Sequence, residues 1–306
     1  MNKLTTIQRF IIFAFLVIGI ASCSSGTKQE KESATTEKAD TQAVKVEESE
    51  RTKQIKQIFH SLPSPIELTF LFKQEGVQYS ADKLHDVGAI GKYNISRKQA
   101  MNLGVYGADL SYAGIFENHQ DALKYYNSCK QLTEALGIEE SNYSTFITRL
   151  ENNQENKDTI LSVISDFFLL NNANLKDNEQ EDLATYALVG GWVEGMYLGT
   201  QLAAGNGDMD GIKSILIMQK HSLQSLIQLV EGIQNSEDEN LVNQMNQLFS
   251  LYDNIETKKA DTDKNKVEKK DGKLILNTSK TIANIPDDIF LEIKSKIAAL
   301  RSTIIK

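Results

Sequence analysis

Apolar residues recur every three or four positions through most of the chain from residue 51 onward, which is the spacing of one face of an α-helix. The most regular stripe is formed by Leu241, Met245, Leu248, Tyr252 and Ile255. Stripes over 122–136, 160–168, 212–233 and 289–304 predict further helices, including one continuous helix from about Gly211 to Gln234. We predict an all-α fold, a single multi-helix bundle domain of roughly eight to ten helices.

Residues that start and stop helices agree with this pattern. Ser64, Pro65 and Glu67 form the sequence of a capping box with proline at the first helical position. Pro286 and the two aspartates after it begin the last helix, and Gly137 ends the 122–136 helix. Residues 257–273 are charged, mixed in sign and without periodicity, which predicts an exposed loop before a short extended segment, 274–276.

The first 22 residues do not belong to the fold. Lys3 and Arg9 come before an apolar run of 12 residues, 10–21, which is too short to span a bilayer and typical of a signal-peptide core. The run leads into Ile20-Ala21-Ser22-Cys23, which resembles the lipobox of bacterial lipoproteins. The resemblance implies a signal peptide over 1–22 and lipid on Cys23, whereas the alternative is an ordinary secretory signal with a coincidental cysteine.

Residues 23–50 contain no aromatic side chain and consist largely of Ser, Thr, Glu, Lys, Ala and Gln, so they predict a disordered tether. As a flexible coil, this tether would hold the helical domain, residues 51–306, about 30 Å from the lipid. The expected partner is therefore the membrane, reached through the lipid on Cys23, and the expected location is the cell envelope. Ser24 after the cysteine favours the outer membrane, with the periplasmic or surface face left open.

The charge pattern narrows the classes of partner. The formal charge of -8 becomes -10 without residues 1–22, and most of the acidity lies in the helical domain. An acidic domain offers no footprint for nucleic acid and argues against direct binding of anionic lipid headgroups. The two cysteines are Cys23 and Cys129, so lipid on the first would leave no intramolecular disulfide.

Two of the predicted helices, 96–118 and 179–204, are unusually rich in glycine. Each glycine inside a helix costs about 1 kcal/mol relative to alanine, so close packing must offset that cost. Gly191, Gly195 and Gly199 are four residues apart and would let another backbone approach one face. We expect both helices at the centre of the bundle, against each other.

Each glycine-rich helix also carries a carboxylate among apolar neighbours. Asp109 shares a helical face with Tyr106 and Tyr112, and Glu194 has a tyrosine three residues later. Two buried carboxylates facing one cavity would form an acid and base pair or bind a cation, whereas the alternative is that each accepts hydrogen bonds and fixes the packing. Asp109 and Glu194 are the catalytic candidates, and the candidate ligand-binding residues are Tyr106, Asp109, Tyr112, Trp192, Glu194 and Tyr197.

Three other candidate sites, for calcium, for a cysteine nucleophile and for a histidine-bound metal, do not match the required spacing. Residues 206–211 begin like an EF-hand loop, but the twelfth position, a glutamate in that loop, is Ile217, which favours a tight turn between helices. His119 and Cys129 are about 15 Å apart along a common helix and cannot form a nucleophile and base. The spacing of the four histidines matches no zinc or di-iron motif. We predict no metal and no cofactor.

Two segments resemble those of uncharacterised lipoproteins from Bacteroidetes-type bacteria: NLGVYGADLSYAGIF at 102–116 and GGWVEGMYLGTQ at 190–201. The similarity extends over roughly residues 55–255 and implies an envelope location without an activity. The expected function is a membrane-anchored envelope lipoprotein whose helical domain is a binding or structural module for an envelope protein or a small-molecule ligand. The alternative is a hydrolase or other acid/base enzyme using Asp109 and Glu194.

Overall fold

The computed structural model describes residues 62–138, 181–206, 209–255, 267–270, 273–276 and 285–306, together with positions 58, 149, 152 and 162. All of them lie in the compact unit formed by Ser49–Lys306. The signal peptide, the tether with Cys23, and the helix predicted over 160–168 fall outside the described residues, apart from position 162.

The regular secondary structure of the described residues is helical except for one short hairpin, so the all-α prediction is confirmed. The eight α-helices of this part are α1 (Pro65–Gln74), α2 (Ser96–Ile115), α3 (His119–Ala135), α4 (Glu181–Asn206), α5 (Met209–Met218), α6 (Lys220–Ile233), α7 (Glu239–Leu251) and α8 (Asp287–Ile304). Short 3₁₀ helices occupy Ala81–Lys83, Val87–Lys92, Ser236–Asp238 and Tyr252–Asn254.

The hairpin replaces the last part of the loop predicted over 257–273, of which residues 257–266 lie outside the described part, and it includes the extended segment predicted at 274–276. Strand β1 (Val267–Lys270) pairs antiparallel with β2 (Lys273–Leu276), and Val267 lies opposite Leu276. Antiparallel strands joined by so short a connection need only local pairing, which the helical periodicity of the flanking chain does not reveal.

Helix ends follow the local sequence signals. At the start of α1, the Glu67 amide donates to Ser64 Oγ at 3.2 Å, and the Ser64 amide donates to Glu67 Oε2 at 2.7 Å. At the end of α3, Gly137 adopts a left-handed φ of 73°, and the Ile138 amide donates to the Thr133 carbonyl. Both the predicted capping box and the predicted glycine stop are present.

The single helix predicted from Gly211 to Gln234 is wrong, because two helices, α5 and α6, meet at Gln219. The Gln219 amide donates to the Leu216 carbonyl three residues back, a tighter turn than an α-helix makes. Its side-chain Oε1 accepts a hydrogen bond from Trp192 Nε1 at 3.2 Å. The break is tied to this tertiary contact, which hydrophobic spacing does not report.

Helices α2 and α4 approach closely through two glycines. A Cβ on Gly104 would overlap the Ala187 carbonyl, and a Cβ on Gly190 would overlap the Met101 carbonyl. Of the stripe formed by Gly191, Gly195 and Gly199, only Gly191 faces a second backbone as expected, that of Gly104. The stripe also receives the α1 side chains Pro65, Leu68 and Phe72, and Gly195 and Gly199 meet only these side chains.

The last helix, α8, packs its apolar face into the body. Its buried apolar residues are Phe290, Ile293, Ile297, Leu300 and Ile304. Lys213 of α5 pairs with Asp287 at 2.5 Å, and the Asn102 side-chain Nδ2 donates to the Ile304 carbonyl at 3.2 Å. Both ends of α8 are therefore held to other helices. Among the described residues, no helix is long and apolar enough to cross a bilayer.

Candidate functional site

Three side chains at a spacing of three residues on α2 bind one irregular segment. This segment, residues 75–95, is called the α1–α2 connection below. Tyr112 Oη donates to the Gln78 carbonyl at 2.8 Å, and Asp109 Oδ2 accepts from the His85 amide at 3.1 Å. Tyr106 Oη donates to the Asp86 carbonyl at 2.8 Å. The shared face predicted for these residues therefore holds a connection whose only regular structure is two short 3₁₀ helices.

The two candidate carboxylates come together in the core with an arginine from α8. Arg301 Nε and Nη2 donate to the two carboxylate oxygens of Glu194 at 2.5 and 2.8 Å. Asp109 and Glu194 are both 0 % exposed, and their carboxyl groups are neighbours that share a hydrogen bond when one of them is protonated. We call Asp109, Glu194 and Arg301 the buried triad.

The charge balance of the buried triad assigns a proton to Asp109. Burial raises the pKa of Asp109 well above its usual value, and the neighbouring Glu194 raises it further. Burial also raises the pKa of Glu194, but its hydrogen bonds to Arg301 oppose that change. One proton on Asp109 leaves a net charge of zero, the cheapest state for a group removed from water. Without that proton, Asp109 Oδ1 has no hydrogen-bond partner.

His85 lies beside the buried triad, enclosed by tyrosines. Its ring Nε2 is 2.6 Å from Tyr93 Oη, and its ring stacks on Tyr106 with centroids 5.1 Å apart. Its carbonyl accepts from Tyr125 Oη at 3.0 Å. Burial, followed by the charge of Arg301, lowers the pKa of His85 to about 4. The imidazole is therefore neutral at neutral pH.

The remaining candidate ligand-binding residues lie on different sides of α4. Tyr197 contacts the buried triad, with its ring centroid 4.1 Å from Arg301 Cζ, a cation–π contact. Trp192 instead donates to Gln219 at the junction of α5 and α6. The six candidates therefore do not form one binding site, and Trp192 belongs to a separate packing contact.

A second buried ionic cluster joins α2, α4 and the start of α7. Asp238 forms an ion pair with Arg97, whose Nε donates to Asp238 Oδ1 at 2.6 Å. Tyr186 Oη donates to Asp238 Oδ2 at 2.6 Å, and Arg97 lies over the Tyr186 ring. The guanidinium, carboxylate and phenol satisfy one another, so this cluster is a structural cross-link.

Sequence reasoning missed Arg301 and His85. Arg301 is a charged residue on the apolar face of α8, next to Leu300 and four residues after Ile297, and such a buried charge needs a partner. That irregularity was a usable signal. His85 carried none, because only the tertiary path of the α1–α2 connection brings it to Asp109.

The weaker candidates lie elsewhere in the molecule. Cys129 is fully buried on α3, and burial raises the pKa of its thiol. In the 206–211 turn, residues 207 and 208 are outside the described part, and α5 begins at Met209. Within the described ranges, no three His, Cys, Asp or Glu side chains come together as metal ligands.

Comparison of the chain with protein-family models, with curated proteins and with solved structures finds no match. The function must therefore be inferred from the chemistry of the buried triad and its surroundings.

Proposed function

We propose that the chain is a lipid-anchored protein of the cell envelope whose helical domain is a binding or structural module. One observation carries the proposal for the domain. The two candidate carboxylates, Asp109 and Glu194, are both enclosed in the core and bound by groups of the same chain. Glu194 is bound on both oxygens by Arg301, and Asp109 is bound to the α1–α2 connection. Their partners are structural groups of the same chain.

The alternative function, acid/base catalysis by Asp109 and Glu194, requires a carboxyl group that a substrate can reach. Both carboxyl groups are 0 % exposed. Arg301 further holds Glu194 in an ion pair whose disruption would leave a buried charge without a partner. These contacts favour a structural cross-link over catalysis.

We further propose that α2 and α4 are the centre of one helical domain. The backbone contact through Gly104 and Gly190 supports this, because helices that touch at backbone level exclude water from both faces. Helix α1 lies on the Gly191, Gly195 and Gly199 side of α4. Helix α8 reaches the carboxylates of α4 with Arg301.

The proposal for the anchor rests on the sequence. The basic residues, the short apolar run and the lipobox-like Ile20-Ala21-Ser22-Cys23 support acylation of Cys23, with the tether 23–50 leading to the helical domain. Acylation by two or more chains holds a protein at a membrane without a spanning helix. The partner or ligand of the domain would then be another component of the envelope, at the outer membrane.

Incorporation of labelled palmitate in the native host tests the anchor. We expect the wild-type chain and Cys129→Ala to carry label and to sediment with membranes, because Cys129 is buried in α3. Cys23→Ala should lose both properties. Label that persists after Cys23→Ala would refute lipidation at this residue. Loss of label in Cys129→Ala would show that Cys129, and not Cys23, carries the acyl group.

A further inference from the structure

The guanidinium of Arg301 lies in a cradle built by three other elements. Glu194 of α4 accepts two hydrogen bonds from it, and the Tyr197 ring of the same helix lies against its face. The Lys83 carbonyl of the α1–α2 connection accepts from Nη2 at 3.4 Å. Asp109 of α2 is the neighbouring acid. We call Lys83, Asp109, Glu194 and Tyr197 the guanidinium cradle.

The shape of the cradle suits a guanidinium better than an ammonium. Two parallel hydrogen bonds to one carboxylate require a planar fork of N–H groups, which arginine has and lysine lacks. A flat cation also stacks on a tyrosine ring, as the 4.1 Å separation of Arg301 Cζ from the Tyr197 centroid shows. The carbonyl of Lys83 adds an acceptor for a third N–H.

The charge of the cradle also calls for a cation. It holds two fully buried carboxyl groups, and an ionised Glu194 beside a neutral Asp109 leaves the cradle with a net negative charge. Every residue of the cradle precedes α8 in the chain. The elements that form the site are therefore distinct from the helix that supplies the cation. A cradle without Arg301 would retain buried acids and an open volume of the shape of the lost side chain.

We propose that the cradle is a guanidinium-binding site that α8 fills with Arg301 and that takes a free alkylguanidinium when this side chain is removed. The ligand class is the arginine side chain, presented in the native protein by the chain's own last helix. The inference rests on the structural role proposed for the buried triad and adds to it a selectivity for the guanidinium group.

Chemical rescue of full-length Arg301→Ala tests the proposal. Ethylguanidinium contains the atoms that the substitution removes, and ethylammonium is the matched cation without the planar fork. With a dissociation constant of about 1 mM, 10 mM ethylguanidinium would raise the folded-to-unfolded ratio about tenfold. We expect this rise in thermal or urea unfolding of Arg301→Ala, a much smaller rise with ethylammonium or equal sodium chloride, and none in the wild type.

A second variant locates the binding. Adding Glu194→Gln to Arg301→Ala should abolish the rescue, because the bidentate acceptor is gone. Equal rescue by both cations, rescue that survives Glu194→Gln, or no rescue would overturn the proposal. If Arg301→Ala does not fold, it is refolded with and without ethylguanidinium: recovery with that cation alone supports the site, and failure with both contradicts it.

The outcomes separate this inference from the proposed function. Arg301→Ala that is destabilised but not rescued leaves the structural role of the buried triad standing and removes the guanidinium site. If Arg301→Ala is as stable as the wild type, both the structural role of the buried triad and the guanidinium site are refuted. Neither outcome depends on Cys23, so the palmitate experiment fails or succeeds independently.

Discussion

Replacing Asp109 with asparagine tests whether this residue keeps a proton in the folded protein. Asparagine has the shape of the protonated carboxyl group. Its carbonyl oxygen can accept from the His85 amide, as Asp109 Oδ2 does at 3.1 Å, and its amide can donate to Glu194. The substitution therefore preserves the hydrogen bonds of the neutral acid and removes only its ability to ionise.

The sign of the effect follows from the direction of the pKa shift. Burial and Glu194 raise the pKa of Asp109 in the folded state above the ordinary value of 3.8. As pH rises past this value, the unfolded chain releases the proton while the folded protein keeps it, so stability falls. Each pH unit over which this difference persists costs about 1.4 kcal/mol. The loss begins near pH 4 and stops at the raised pKa of the folded state.

Urea unfolding at a series of pH values measures this slope in the wild type and in Asp109→Asn. His85, whose pKa is lowered to about 4, adds a slope of opposite sign between its ordinary 6.5 and that value, but it does so in both proteins. The difference between the two proteins therefore isolates Asp109. Asp288→Asn, at an exposed position in the first turn of α8, is the matched control and should retain the wild-type slope.

Two results would refute the reasoning. If Asp109→Asn loses stability with rising pH as steeply as the wild type, the proton is not held on Asp109. If the wild type instead gains stability relative to Asp109→Asn as pH rises toward 4 and then levels off, Asp109 is ionised in the folded state, and the buried triad carries a net negative charge.

Two further substitutions probe the packing of the core. Arg301→Met should lower the free energy of unfolding in urea by about 3–5 kcal/mol because it leaves the Glu194 carboxylate buried without its cation. The double variant Glu194→Met/Arg301→Met should lower it clearly less. Equal losses in the two variants would contradict a penalty for the unpaired charge. Gly104→Ala should cost about 1–3 kcal/mol because its Cβ would overlap the Ala187 carbonyl, whereas Gly91→Ala, with open space around its Cβ, should stay within about 0.5 kcal/mol. Equal melting temperatures for these two alanine variants would exclude close backbone packing at Gly104.

Local signals in the sequence were sufficient wherever a structure depends on neighbours in the chain. The capping box at Ser64 and the stop at Gly137 involve residues within five positions of one another, so their sequence predicts their geometry. The same holds for α7 and α8, whose apolar stripes predict which face is buried. The spacing of apolar residues did not predict the break at Gln219, where the chain changes from α5 to α6 at a contact with Trp192.

The candidate site divides in the same way. The sequence identified Asp109 and Glu194 as unusual, because each is an acid within a glycine-rich apolar helix. It placed the close backbone approach at Gly191, Gly195 and Gly199, whereas the structure places it at Gly104, Gly190 and Gly191 and puts α1 side chains against Gly195 and Gly199. Helical period defines a face but not which neighbour packs against it.

The sequence by itself determined the helical class, the helix ends that carry a local cap or stop, and the presence of two acids in apolar surroundings. Only the tertiary structure decided what those acids do. It brings Arg301 to Glu194 across 107 positions of the chain and the His85 amide to Asp109 across 24. Contacts at such separations depend on how whole helices pack, and the high cost of leaving either buried charge without its partner, rather than any local pattern, fixes the buried triad.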